Sequence, residues 1–174
     1  FFDPESGKPV NANLAPPPFT PRKNVAMQDY EAVSLYSGGG GLVSTAMDYA
    51  RFAEAMRNGG SLNGVRILGP KTVAYMSTNH LSAGAGLAGF GEQPGSEVDD
   101  TGVGFGLGFA TTLDEVSSGT MGAGDYYWGG AASTIFWGDP VEDLYVIFMT
   151  QLRPSSTFDF RGQIKNIVYG AITD

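Results

Sequence analysis

The residues Leu144-Tyr145-Val146-Ile147-Phe148-Met149-Thr150 form a nearly unbroken apolar run. The run is short for a helix and lacks polar alternation. It therefore predicts a strand buried on both faces, near the centre of a sheet. Val103 to Thr112 and Tyr126 to Trp137 read as two further strands, and the third candidate extends from Leu144 to Gln151. Asp139-Pro140 with Glu142-Asp143 supplies the turn that folds the second and third onto each other as a hairpin.

Helical signals lie on either side of these strands. Thr45 can cap a helix whose Asp48, three places on, favours the positive end of the dipole. Tyr49, Phe52, Ala53 and Met56 then share one face, and Asn58-Gly59-Gly60 stops the helix. Leu62 to Leu68 reads as a short turn and an extended piece. Pro70 opens a second helix carrying Val73, Ala74 and Met76 and ending near Asn79. A closing helix from about Phe158 places Phe160, Ile164, Ile167, Val168 and Ala171 on one stripe. The expected class is α+β, an antiparallel sheet flanked by helices.

The organisation expected is one domain over residues 1–174. Residues 1–30 hold Pro4, Pro9, Pro16, Pro17, Pro18 and Pro21 and predict an extended arm. Residues 31–81 are expected to be helical, with Gly38 to Gly41 as a hinge or a place of close approach. Residues 82–102 read as a loop, and 103–174 as strands plus the closing helix. The chain opens on Phe1-Phe2-Asp3-Pro4 without an initiator methionine, which leads to the expectation of a longer parent polypeptide.

Composition narrows the function. Ten basic against eighteen acidic side chains give a net charge of −8, which argues against nucleic acid as a partner. No apolar run approaches the roughly 20 residues of a membrane-spanning helix, so no membrane partner is expected. Without cysteine, and with His80 as the one histidine, thiolate and His-rich metal sites are excluded. Glu97, Asp99, Asp100, Asp114 and Glu115 match no cation-binding loop and read as a solvated face. No metal or cofactor is expected.

Several short motifs have plain explanations. Gly84 to Gly89 matches G-x-G-x-x-G, but a helix signal rather than a strand precedes it, so a loop is the better reading. Asp100-Thr101-Gly102 lacks the second aspartate an aspartic-protease dyad needs. His80 stands at a helix end, where an interaction with the dipole is expected.

Tyr126-Tyr127-Trp128-Gly129-Gly130-Ala131-Ala132-Ser133-Thr134 carries more chemistry. Paired glycines weaken a strand unless something must come close to its backbone. A strand edge there can present N–H groups to a substrate carbonyl and stabilise its oxyanion. The alternative is a β-bulge among aromatic core residues. Spacing alone leaves both open.

Ser37-Gly38-Gly39-Gly40-Gly41-Leu42-Val43-Ser44-Thr45, followed by Asp48-Tyr49-Ala50-Arg51-Phe52, resembles the serine β-lactamase and penicillin-binding-protein-like superfamily. The likeness is to its class C-like members, including family VIII carboxylesterases. Asn58-Gly59-Gly60, Gly64 to Leu68, Asn79-His80-Leu81, Gly104 to Phe109, Trp128-Gly129-Gly130, Asp139-Pro140 and Met149-Thr150-Gln151 continue it in order. The resemblance implies the C-terminal part of a β-lactamase/transpeptidase-like fold and a serine hydrolase working through an acyl-enzyme. That family's Ser-x-x-Lys and Tyr-x-Asn motifs do not occur in this sequence. The nucleophile is therefore expected in an N-terminal polypeptide of the same protein, with this chain inactive alone.

Trp128-Gly129-Gly130 stands where the family has Lys-Thr-Gly, and Ala132 stands where the family pattern has glycine. By that match the Ala131 N–H is the second oxyanion donor, and Trp128, Gly129, Gly130 and Tyr127 are substrate-binding. An ammonium there would attract a carboxylate, whereas an indole offers apolar area and one donor, so small neutral esters are the expected substrates. A β-lactamase, a D-alanyl-D-alanine peptidase-like enzyme and a non-catalytic binding homologue are the alternatives. Compartment and homo-oligomer formation are left open by the sequence.

Overall fold

The structure, a computed structural model, describes residues 44–90, 101–152 and 155–173. The proline-rich arm, Gly38 to Gly41, Glu97, Asp99 and Asp100 lie outside the described residues. Helix α1 runs Ala46–Arg57. Its start follows the expected cap, the Asp48 N–H donating to Thr45 Oγ1 at 3.1 Å and the Thr45 hydroxyl donating to Asp48 Oδ2 at 2.9 Å. A two-stranded hairpin follows, β1 (Ser61–Leu62) with β2 (Val65–Arg66), joined by Asn63-Gly64. Helix α2 (Pro70–Met76) opens on Pro70 as predicted but stops before Asn79, and of its apolar residues Val73 is buried and Ala74 exposed.

Among the described residues the main sheet is an antiparallel five-stranded meander in chain order. Its strands are β3 (Val103–Phe105), β4 (Ala110–Thr112), β5 (Tyr126–Gly129), β6 (Ile135–Asp139) and β7 (Leu144–Phe148). Between β4 and β5 lies a single turn of helix, α3 (Glu115–Ser118), and α4 (Phe160–Tyr169) closes the described chain. The α+β class follows directly: α1 and α2 cover one face of the sheet and α4 the other. Met56, Val73, Phe109, Tyr126 and Phe136 form the core on the first face. Val103, Ala110, Tyr127, Ile135, Trp137 and Tyr169 form it on the second.

Four expectations are corrected. The predicted strand over 103–112 is two strands, because the chain turns at Gly106 to Phe109. Gly106 lies so close to the Met76 carbonyl that a side chain would collide with it, and the Leu107 N–H donates to that oxygen at 2.8 Å. The strand over 126–137 is likewise a hairpin, turning at Gly130 to Ser133. Among the described residues the apolar run at 144–150 lies at an edge of the sheet rather than at its centre: β7 pairs with β6 alone, and all five of its residues are half-buried. The closing helix, finally, is rotated from its expected stripe. Ile164 and Val168 pack inward, but Ile167 is 70% exposed and Lys165 and Tyr169 take the buried positions.

That rotation has an electrostatic cause. The Lys165 ammonium pairs with Asp125, lies 3.3 Å from Thr112 Oγ1 and sits 4.5 Å above the Tyr127 ring. Lys165 and Asp125 are 3% and 0% exposed, so each charge requires the other. One turn on, the Tyr169 hydroxyl donates to Asp139 Oδ2 at 2.6 Å. Turning the helix to bury Ile167 would strand both pairs. α3 was not foreseen either. Asp114, read as part of a solvated face, caps it: the Ser117 hydroxyl and the Ser117 and Val116 N–H groups donate to its carboxylate and hold it below the ordinary range.

Candidate functional site

β5 brings Trp128, Gly129 and Gly130 to one end of the sheet and hands them to a tight turn. The Ser133 N–H donates to the Gly130 carbonyl at 3.0 Å, which makes Ala131 and Ala132 the two central residues of a four-residue turn. The Gly130 N–H donates to Thr134 O at 3.0 Å and closes the hairpin onto β6. In such a turn the N–H of the first central residue has no internal acceptor. Ala131 occupies that place, is exposed, and its N–H has no acceptor among the described residues.

The turn is held from behind. Ser133 is buried with φ +64°, and its hydroxyl donates to Leu152 O at 2.9 Å and Ser155 O at 3.3 Å. The Leu152 N–H returns a bond to Ala132 O at 3.2 Å. From the first turn of α4, Arg161 Nη2 donates to Gly130 O at 2.8 Å and to Thr134 O at 3.1 Å. A β-carbon at Gly129 would fall inside the Arg161 guanidinium, so glycine at that position lets the arginine through.

Of the residues singled out in the sequence, the structure brings Trp128, Gly129, Gly130 and Ala131 to this one end. Trp128 lies on the same face as Tyr126 and Phe136, is 47% exposed, and meets Phe105 edge-on at 5.2 Å. Tyr127 does not join it. Its side chain points to the opposite face and is buried beneath α4, under the Lys165 ammonium. Ala132 is buried at the base of the turn. His80 takes the helix-end role, since its ring Nε2 lies 2.7 Å from the Tyr75 carbonyl in the last turn of α2 and must carry the proton to donate there. Its main-chain N–H donates to Phe105 O at 2.8 Å, and Asn79 Oδ1 accepts the Phe105 N–H at 3.1 Å, so this segment straps the β3 strand beside Trp128.

Arg161, Ser133 and Asn79 were missed by sequence reasoning. Their partners are main-chain atoms far along the chain, and only the glycines at 129 and 104, where side chains would strike Arg161 and Asn79, leave a trace in the sequence. At the other end of the sheet lie the Asp125, Lys165 and Thr112 cluster and a pocket of about 330 Å³ lined by Glu115, Gly122, Asp139, Glu142 and Tyr169 among others. Burial pushes the Asp125 carboxyl above its ordinary range, against the pull of Lys165, and burial with the Asp139 bond pushes the Tyr169 hydroxyl up. No group of three potential metal ligands occurs among the described residues, and none of their helices is long and apolar enough to cross a membrane.

A family model described as Beta-lactamase matches residues 1–167. The chain belongs to the beta-lactamase family. Within known proteins it is 35% identical over 130 residues to Protein Rv1367c of Mycobacterium tuberculosis strain H37Rv, covering 72% of this chain and 31% of that protein. The same figures hold for Uncharacterized protein MT1414 of Mycobacterium tuberculosis strain CDC 1551. Among solved structures it is similar to EstCE1, described as a hydrolase with promiscuous acyltransferase activity. That match has a TM-score of 0.60 and 29% identity, and it covers 77% of this chain and 32% of EstCE1. The chain thus spans about a third of the length of the relatives it matches, and the family's α+β architecture agrees with the meander and flanking helices described above.

Proposed function

We propose that this chain contributes one wall of the active site of a serine hydrolase that acts through an acyl-enzyme on small carboxylic esters. The observation that carries the reading is the N–H of exposed Ala131, which has no acceptor among the described residues, on a turn anchored from behind next to the exposed Trp128. Family membership and the EstCE1 likeness support hydrolase chemistry. The nucleophile lies outside these 174 residues in this reading, since no serine in them has lysine three places on.

In the reaction the serine oxygen attacks the ester carbonyl, and the developing oxyanion accepts from the Ala131 N–H. Collapse expels the alcohol, which takes up a proton, and leaves the acyl-enzyme for water to hydrolyse. The donor is fixed before the reaction, so it is worth more than a mobile water would be. Trp128 and Phe105 give the acyl or alkoxy group an apolar ledge, with an indole where the family pattern has the lysine of Lys-Thr-Gly.

The test compares turnover of short-chain aryl esters with penicillin-type lactams by the full-length enzyme, and locates the serine labelled by a fluorophosphonate probe. Faster ester turnover, with the label outside these 174 residues, supports the proposal. Faster lactam turnover overturns the substrate class, and a labelled serine within the 174 overturns the division of the site.

A further inference from the structure

The Arg161 guanidinium reaches back to main-chain oxygens of the candidate site. Nη2 donates to Gly130 O at 2.8 Å and Thr134 O at 3.1 Å, the two carbonyls that bracket the Ala131 turn. The first of these is decisive. Gly130 C=O and Ala131 N–H belong to one planar trans peptide unit, so the oxygen and the hydrogen point in opposite directions from the same rigid plate. Whatever fixes the oxygen fixes the direction of the N–H. The Ser133 N–H also donates to that oxygen at 3.0 Å, so the plate is held by a neutral and a charged donor together.

A charged donor on the carbonyl does a second thing. It draws electron density toward the oxygen and leaves the N–H on the far side of the same amide a stronger donor. The positive charge stands in line behind the peptide dipole, where an oxyanion in front of the N–H would experience both. We propose that Arg161 is a positioning residue of the hydrolase, a clamp on the Gly130–Ala131 peptide that aims and polarises the Ala131 N–H toward the oxyanion. The proposal rests on the oxyanion reading of Ala131. Gly129 belongs to the same device, because any side chain there would displace the guanidinium.

The clamp acts on charge that appears in the transition state, so its loss lowers kcat and leaves KM nearly unchanged. In the full-length enzyme, Arg161→Ala is expected to lower kcat for a short-chain aryl ester about 10-fold to 100-fold, less than complete loss of an oxyanion donor costs. Arg161→Lys, which keeps a charge and several donors, is expected to recover part of it. Millimolar guanidinium is expected to raise kcat of Arg161→Ala while leaving the parent unaffected. Gly129→Ala is expected to match Arg161→Ala, and the double variant to be no worse than either, since both remove one interaction.

Ala131→Pro separates this inference from the reading beneath it. Proline suits the first central position of such a turn, so it deletes the N–H with little disturbance of the backbone. Loss of acylation in Ala131→Pro, with kcat of Arg161→Ala unchanged within twofold, overturns the clamp alone. Full acylation by a folded Ala131→Pro overturns the oxyanion reading and the clamp with it. A fall in kcat for Arg161→Ala that follows its thermal stability and ignores both guanidinium and the lysine variant also overturns the clamp. If Arg161→Ala does not fold, Gly129→Ala alone decides, through the same split between kcat and KM.

Discussion

The two ends of the sheet solve opposite problems. At the Asp125 end, charged and hydroxyl side chains are buried and spend their hydrogen bonds on one another: Lys165 with Asp125 and Thr112, Tyr169 with Asp139. At the Ala131 end the side chains of Ser133 and Arg161 spend their hydrogen bonds on main-chain oxygens, and the N–H of exposed Ala131 is left without an acceptor among the described residues. The first arrangement fixes how α4 lies on the sheet. The second uses the N-terminus of the same helix, through Arg161, to hold a turn open to solvent. One helix thus pairs buried charge through Lys165 and, one turn earlier, braces the Ala131 turn through Arg161.

The largest effect expected comes from breaking the buried end. Lys165→Ala leaves the Asp125 charge without a partner and is expected to cost about 3–5 kcal/mol, read as a fall in the denaturation midpoint. If Lys165→Ala proves neutral, the buried pair does not set the rotation of α4. A smaller, local loss is expected for Ser133→Ala, which removes the hydroxyl from Leu152 O and Ser155 O. The expected cost is about 1 kcal/mol, with faster hydrogen exchange confined to the hairpin at 130–134. Faster exchange throughout the sheet would show that the two ends are one cooperative unit.

The smallest effect concerns alkaline pH. Burial raises the Tyr126 hydroxyl from 10.0 to about 12, so between those values the folded state holds a proton that the unfolded chain has released. The corresponding stability is complete below pH 10 and is lost as pH rises toward 12. Tyr126→Phe is expected to flatten this decline in a pH series of unfolding midpoints. Tyr169, raised by burial and the Asp139 bond on the opposite face of the sheet, is expected to account for what remains of the slope.

Legibility in the sequence followed the range of the interactions. The Thr45 cap, Pro70 at the start of α2 and the Asp139-Pro140 hairpin were readable because each acts within a few residues. The stripe of α4 was misread because apolar periodicity counts Ile167 as core and Lys165 as surface. Only the distant Asp125 reverses that choice. β7 reads as a central strand from hydrophobicity alone, yet it pairs on one side among the described residues. At the candidate site, Trp128-Gly129-Gly130 was visible as a place where a backbone is approached. The hairpin hidden in the run at 126–137 was not, since Gly130-Ala131-Ala132-Ser133 lacks the Asn or Asp that announces most tight turns. Arg161 was silent for the same reason of distance, lying about thirty residues beyond the carbonyls it serves.

The contrast between the ends also gives the segment two optical reporters. It contains two tryptophans, of which Trp137 is 0% exposed in the core and Trp128 is 47% exposed beside the turn. A collisional quencher such as acrylamide reaches the second indole and is kept from the first. Quenching that a bound ester analogue suppresses would report occupancy at Trp128, while a red shift of the protected emission would report loss of the core around Trp137. Binding and unfolding can thus be followed by fluorescence without attaching a label.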